Sequence, residues 1–320
     1  MAEEGTNPIT TRSQIVLEIA SALVAGPDRS VRQAEVRLRA QGGQDWALSL
    51  LGSSSSDGIR AVVAGRVDLA IVNPAATLAA ACRGTGCWGT PQPVRAIAVI
   101  PSADEYVFAV RGDLGLETIE DIARKRPCLR VLMRRQADHC LHEMFDDIAA
   151  AAGFSRADIA AWGGTIAKQA LRPLQPAMPE FAALVGGGFD ALFDEGSDRW
   201  VDAVLAAGWR VLAFSQATLS RLETLGYRRA RLTRARFPHL ETDVPTIDFS
   251  GWPIFVHADL ADGRVEQICA ALEERAAMIG WQGAGPLPVP RMAREAPDTP
   301  QSTPLHPAAA RFWRAREYLD

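Results

Sequence analysis

The chain lacks the features by which several function classes declare themselves. Its longest apolar runs are broken by Arg, Asp or Gly well short of the ~18 residues a membrane-spanning helix needs, so no membrane insertion is expected. No charge of one sign dominates: 34 Lys and Arg stand against 38 Asp and Glu, for a net charge of -4. That balance gives no electrostatic case for nucleic acid or an anionic membrane as a partner. Cysteines are few and odd in number, five, mostly in apolar surroundings, which suits buried reduced thiols better than a disulfide framework. Cys82 and Cys87 flank the loop CRGTGC and are spaced for a small disulfide if the chain is exported. The opening MAEEGTNPITTRSQ has no basic region leading into an apolar one; the expectation as written is a cytoplasmic protein, and a periplasmic one if the N-terminus is truncated. No Ser or Cys sits in a nucleophile elbow. The triplet GGG at 186–188 lacks the spacing of a nucleotide loop and reads as a turn. No cofactor and no metal are expected.

What is present is a long, apolar, regularly punctuated chain. At 320 residues, 48% of them hydrophobic, it exceeds one average domain and can bury a large core, in one big α/β unit or in two lobes with a cleft between them. The segment at 13–26 has helical apolar spacing and a Gly-Pro stop; AEVRLRAQGG alternates apolar and charged residues before Gly42-Gly43, like a short strand running into a loop. Next come SSSSDGIRAVVAGRV, which supplies Ser/Asp caps and a helix, and the short apolar run DLAIVNP, which fits a buried parallel strand. VRAIAVI, EYVFAVRG, CLRVLM, DALFDE and WRVLAF continue as strands, separated by helical patterns such as ADHCLHEMFDDIAAAAG. TIDFSGWPIFVHADL reads as a strand interrupted near Gly251, and the basic run YRRARLTRAR as a solvated helix or loop face. Strands alternating with helices predict mostly parallel sheets covered on both faces, and in such sheets ligands sit beyond the carboxyl ends of the strands. Asn73-Pro74 stands at such an end, where it either faces a cleft or only makes a turn.

The succession VRLRAQGGQDW, DGIRAVVAGRVDLAIVNP, VRAIAVIPSADEYVFAVRGDLGLETIEDIARKR, GGGFDALFDEG, VPTIDFSGWPIFV and PLHPAAARFW resembles the TAXI family of TRAP-transporter solute-binding proteins, from about residue 13 to the C-terminus. The ending is the most specific part: His306-Pro307-Ala308-Ala309 followed by Phe312-Trp313 is similar to the family's closing motif. The resemblance implies a type II periplasmic-binding-protein fold: an α/β chain in two lobes, lobe I at 1–107 with 245–320 and lobe II at 108–244. It implies closure on a small organic anion, a carboxylate or amino acid, and TRAP membrane subunits as partners if the chain is exported. Carried over by position, Asn73 follows a strand and faces the ligand, Glu105 and Tyr106 enter the crossover, Arg134, Arg135 and Gln136 replace a Gly/Ser/Thr-rich turn, and Asp194 and Glu195 lie in the second cleft-facing loop. The sequence departs from the family in having no strand and Gly-rich turn ahead of its first helix, and type II binding-protein folds also host cytosolic enzymes. A cytosolic enzyme acting on an aromatic or other carboxylate, for example a decarboxylase or lyase, is therefore the alternative function.

On chemistry alone, Arg134 or Arg135 can clamp a carboxylate by bidentate, charge-assisted bonds, or both are solvated. His139, His142 and Glu143 at i, i+3 and i+4 share a helical face; they resemble metal-ligand spacing only loosely, and His139 near a helix start is the general acid or base if there is one. Asp194 and Glu195 bind an amine or act as a base, with capping and solvation the plainer reading. Trp252, between Gly251 and Pro253, either stacks on a ligand or packs.

Overall fold

A computed structural model describes residues 12–24, 33–39, 46–53, 55–170 and 174–320. The chain opens with α1 (Arg12–Val24), β1 (Ala34–Arg39), β2 (Trp46–Gly52), α2 (Asp57–Val63), β3 (Leu69–Ile71), α3 (Ala75–Arg83) and β4 (Val94–Ile100). It continues through β5 (Val107–Arg111), α4 (Glu120–Lys125), β6 (Arg130–Arg134), α5 (Leu141–Ala152), α6 (Arg156–Ala161), β7 (Thr165–Ala170), α7 (Pro179–Ala183) and β8 (Ala191–Asp194). Then follow α8 (Val201–Ala206), β9 (Trp209–Val211), α9 (Gln216–Leu225), β10 (Arg229–Leu232) and β11 (Val244–Ile247). The closing elements are β12 (Trp252–His257), α10 (Asp262–Glu274), α11 (Val289–Met292) and α12 (Pro307–Arg314).

Two five-stranded sheets result, in the orders β1-β2-β3-β12-β4 and β7-β6-β8-β5-β9, with β10 and β11 as a separate pair. Each large sheet carries apolar clusters on both faces, as the continuous hydrophobic strands require. The fold is a two-lobed α/β arrangement, lobe I around the first sheet and lobe II around the second. In lobe II, β7, β6 and β8 run parallel while β5 is antiparallel to β8 and β9. In lobe I, β2 and β3 are parallel, β12 opposes β3 and β4, and β1 is an antiparallel edge strand on β2. Both sheets therefore place a strand of reversed direction in their fourth position, and in each case it is the first strand after a crossing between lobes.

The crossings run side by side. Residues 101–106 lead out of lobe I and 248–251 lead back, and they pair through Gly251 N–H to Ser102 O (2.9 Å), Phe249 N–H to Asp104 O (2.9 Å) and Tyr106 N–H to Ile247 O (3.1 Å). The Ser250 hydroxyl also accepts from Asp104 N–H at 3.2 Å. Gly251 has φ +76, and a Cβ there would meet the Pro300 ring at 2.6 Å, so the interruption between β11 and β12 needs glycine for both conformation and space.

The C-terminal motif anchors lobe I. His306 caps α12 through Nδ1, which accepts from Ala308 N–H at 3.2 Å, and buried Trp313 donates Nε1–H to Ile97 O at 2.9 Å. Two expectations need correction, on the cysteines and on the basic run. Cys140 and Cys269 are buried, but Cys87, in a short 3-10 turn over Gly86–Trp88, and Cys128, in the segment before β6, are exposed. The basic run at 227–236 is neither helix nor loop at its centre: it forms β10, paired with β11. GGG at 186–188 belongs to a π-helical turn over Leu184–Gly188, whose exit from helical geometry is made by Gly187 at φ +87. Helix α1 forms where its periodicity places it, but none of its residues is buried.

Candidate functional site

The carboxyl ends of strands from both lobes meet. From lobe I come the segment after β2, Ser55 and Ser56, and the segment after β3, Asn73; from lobe II come the turn after β6 and the segment after β8. The bond between Asn73 and Pro74 is cis. Asn73 donates Nδ2–H to Glu195 Oε2 at 3.3 Å across the lobes. Ser55 forms a bridge with His139, and the Ser56 hydroxyl donates to Glu143 Oε1 at 2.8 Å. Small residues on α3 bring the lobes close further along: Ala76 packs within the lobe II core and the Thr77 hydroxyl lies 3.9 Å from Met144 Sδ.

At the centre is Arg134, only 2% exposed. Its Nη2 donates to Asp194 Oδ1 at 2.7 Å and to Glu195 Oε1 at 3.0 Å. Burial disfavours this guanidinium's charge, but the two carboxylates outweigh that and hold its pKa above the ordinary value. Asp194 is fully buried, and burial together with the Glu195 charge pushes its carboxyl up to about 6 despite Arg134. His139 Nδ1 accepts from Leu141 N–H at 3.2 Å, which assigns the ring proton to Nε2, 3.6 Å from Glu195 Oε1.

Four buried polar atoms in this cluster have no hydrogen-bond partner: Asn73 Oδ1, Tyr106 Oη, Arg134 Nε and Asp194 Oδ2. Most buried polar groups in folded proteins are paired, so four in one cluster call for a reason beyond packing.

The residues singled out from sequence divide into two groups. Asn73, Arg134, His139, Asp194 and Glu195 come together. Tyr106 joins them from beneath, its ring stacked at 4.9 Å on Phe193 in the lobe II core and its phenol raised well above the ordinary pKa by burial. Gln136 contributes its backbone, the carbonyl accepting from His139 N–H at 3.3 Å and facing His142 Nε2 at 3.0 Å. Arg135 is exposed while Arg134 is buried, so the two do not act as a buried pair. Glu105 is engaged elsewhere, with Arg236 Nη1 at 2.5 Å and the Ser197 hydroxyl at 2.9 Å. Trp252 packs against the lobe I core opposite Ile100, because β12 is covered on both faces and has no side open to a cleft.

The trio His139, His142 and Glu143 also separates. His142 faces the Gln136 carbonyl, and burial, with the charges of Lys168 and Arg156, lowers its pKa to about 4. Glu143 turns to Ser56 and Arg60.

Sequence reasoning missed Asp104. Its carboxylate accepts from Glu105 N–H (2.8 Å), Ser197 N–H (3.0 Å), the Ser197 hydroxyl (2.9 Å) and Gly196 N–H (2.6 Å), fastening the crossing to the segment after β8. Burial, then the nearby Glu195 charge, raises it to about 6 against those bonds. The available signal was an acid between two apolar strands, one residue before the Glu105 that drew notice.

No family model and no curated protein matches the chain. Among solved structures, it is similar to the substrate-binding protein of an amino acid ABC transporter at 13% identity, over 68% of each chain, with a TM-score of 0.29. It is also similar to an ancestral arginine-binding protein bound to arginine at 14% identity, over 70% of this chain and 72% of that one, TM-score 0.32. A third is apo YehZ from Escherichia coli, 13% identical over 83% of this chain and 86% of that one, TM-score 0.27. The fold assignment rests on the strand orders and the paired crossings described above.

Proposed function

We propose that the protein is a solute receptor that takes a small polar molecule between its lobes, at the cluster of Asn73, Arg134, His139, Asp194 and Glu195. The observation that carries this reading is the convergence of strand ends from both lobes on polar atoms that the chain itself leaves unpartnered. Entry requires the lobes to part about the two crossings, and closure re-forms the Asn73–Glu195 contact around the solute. The resemblance adds the finer reading of a TAXI-type receptor, with TRAP membrane subunits as partners and the periplasm as location if the chain is exported.

The test is a thermal-shift screen of the purified protein against a metabolite panel, followed by chemical analysis of every hit. A receptor gives a hit that raises Tm with concentration and is recovered unchanged, stabilisation being ~2.7 kcal/mol at a hundredfold excess over Kd. Consumption of the hit sinks the receptor reading in favour of an enzyme, with His139 and Glu195 the first side chains to replace.

A further inference from the structure

We propose that the solute held at this cluster carries a positively charged amino group, a primary ammonium in its simplest form, rather than a carboxylate; the inference rests on the receptor reading above. Charge decides the sign. Asp194 and Glu195 share the single guanidinium of Arg134, so the buried set already carries an excess negative charge before any solute arrives. In a low-dielectric site an added cation removes the imbalance, whereas an added anion deepens it.

Hydrogen-bond inventory agrees. A carboxylate needs several donors, and Arg134 has its Nη2 already bonded to both internal carboxylates, which leaves its buried Nε–H as the one unpartnered N–H donor among the four atoms. Arg135 does not substitute for it, being exposed. An ammonium offers three N–H donors and accepts nothing. Three of the four unpartnered atoms accept: Asp194 Oδ2, Asn73 Oδ1 and Tyr106 Oη. They are linked, since Asn73 is bonded to Glu195, Asp194 shares Arg134 with Glu195, and the Tyr106 ring stacks on Phe193, the residue before Asp194. Two of these side chains, Asp194 and Tyr106, are completely buried, so their unused atoms have no recourse to water in the closed form.

The experiment sorts a metabolite panel by charge, using the full chain at pH 7.5 with Tm as the first readout and calorimetric Kd on each hit. Amines such as 1,4-diaminobutane and 4-amino-1-butanol are set beside succinate, 4-hydroxybutyrate and neutral 1,4-butanediol as a matched four-carbon series within the panel. The expected result is that the hits carry an amino group and that Glu195→Gln, nearly isosteric, weakens them at least tenfold. Asn73→Ala is the second variant, in case loss of the Glu195 charge disturbs folding, and is expected to weaken the same hits several-fold. Hits confined to carboxylates overturn the ammonium inference while leaving the receptor intact, as does an amine whose Kd is unmoved by both variants. A panel without a single hit removes the receptor reading and this inference with it.

Discussion

Two acid-rich junctions hold the lobes together, and they are finished to different degrees. At the crossing, every oxygen of Asp104 is used, and Glu105 is held by Arg236 and Ser197. At the strand ends above β6 and β8, Arg134, Asp194, Asn73 and Tyr106 each retain a buried atom with nothing bonded to it. Both junctions are partly desolvated and both hold a carboxyl raised to about 6. The difference lies in saturation. A saturated network fixes geometry, because each bond over-determines the others; an unsaturated one costs stability and persists where something else is to be bound. On the receptor reading proposed above, the first junction sets how the lobes hinge and the second meets the solute.

The sharpest way to break this comparison is to remove the shared cation. Arg134→Ala leaves Asp194 and Glu195 buried without a partner and should cost ~3–5 kcal/mol at neutral pH, read as a drop in denaturant midpoint at constant m. A loss under ~1 kcal/mol means the cluster is solvated and the contrast with the crossing disappears.

At the crossing, Asp104→Ala should cost about 2–3 kcal/mol through lost charge-assisted bonds. Its titration sharpens the point. The folded Asp104 carboxyl lies at about 6 against an ordinary 3.8, so the folded state binds the proton more tightly. That contribution to stability is fully present below about pH 4 and is lost as pH rises through about 6. Asp104→Asn should flatten this part of the stability profile between pH 4 and 6, measured by urea unfolding at half-unit steps; an unchanged slope contradicts the assignment.

The smallest effect is expected one residue from the largest. Arg135→Ala should change stability by no more than ~0.5 kcal/mol and leave the affinity of any hit alone, since its side chain is exposed outside the cluster.

That neighbouring pair shows what the sequence could and could not disclose. Strand β6 is apolar from Val131 to Met133, so the strand and its polar ending are legible; which arginine turns inward depends on acids sixty residues further on, and no local pattern carries that. Asn73, Asp194 and Glu195 are legible for the same reason, each following a short apolar run in an alternating α/β chain. Trp252 misleads because Gly251 and Pro253 beside it look like a loop, whereas β12 continues through the proline in the middle of a sheet. Asp104 was hidden because its partners, Gly196 and Ser197, donate mainly through the backbone, which no side-chain motif records.

The twin crossings have a mechanical consequence. A single tether lets two bodies swing and twist freely, but here residues 101–106 and 248–251 are laced into a short antiparallel ribbon by rungs at Ser102, Asp104 and Tyr106. Flexing a ribbon across its width keeps its rungs intact, while torsion about its length or sliding of one edge past the other breaks them. If the lobes part to admit a solute, as proposed, their movement is confined to nearly one coordinate, an opening angle, and closing it returns the Asn73 amide to the same carboxylate.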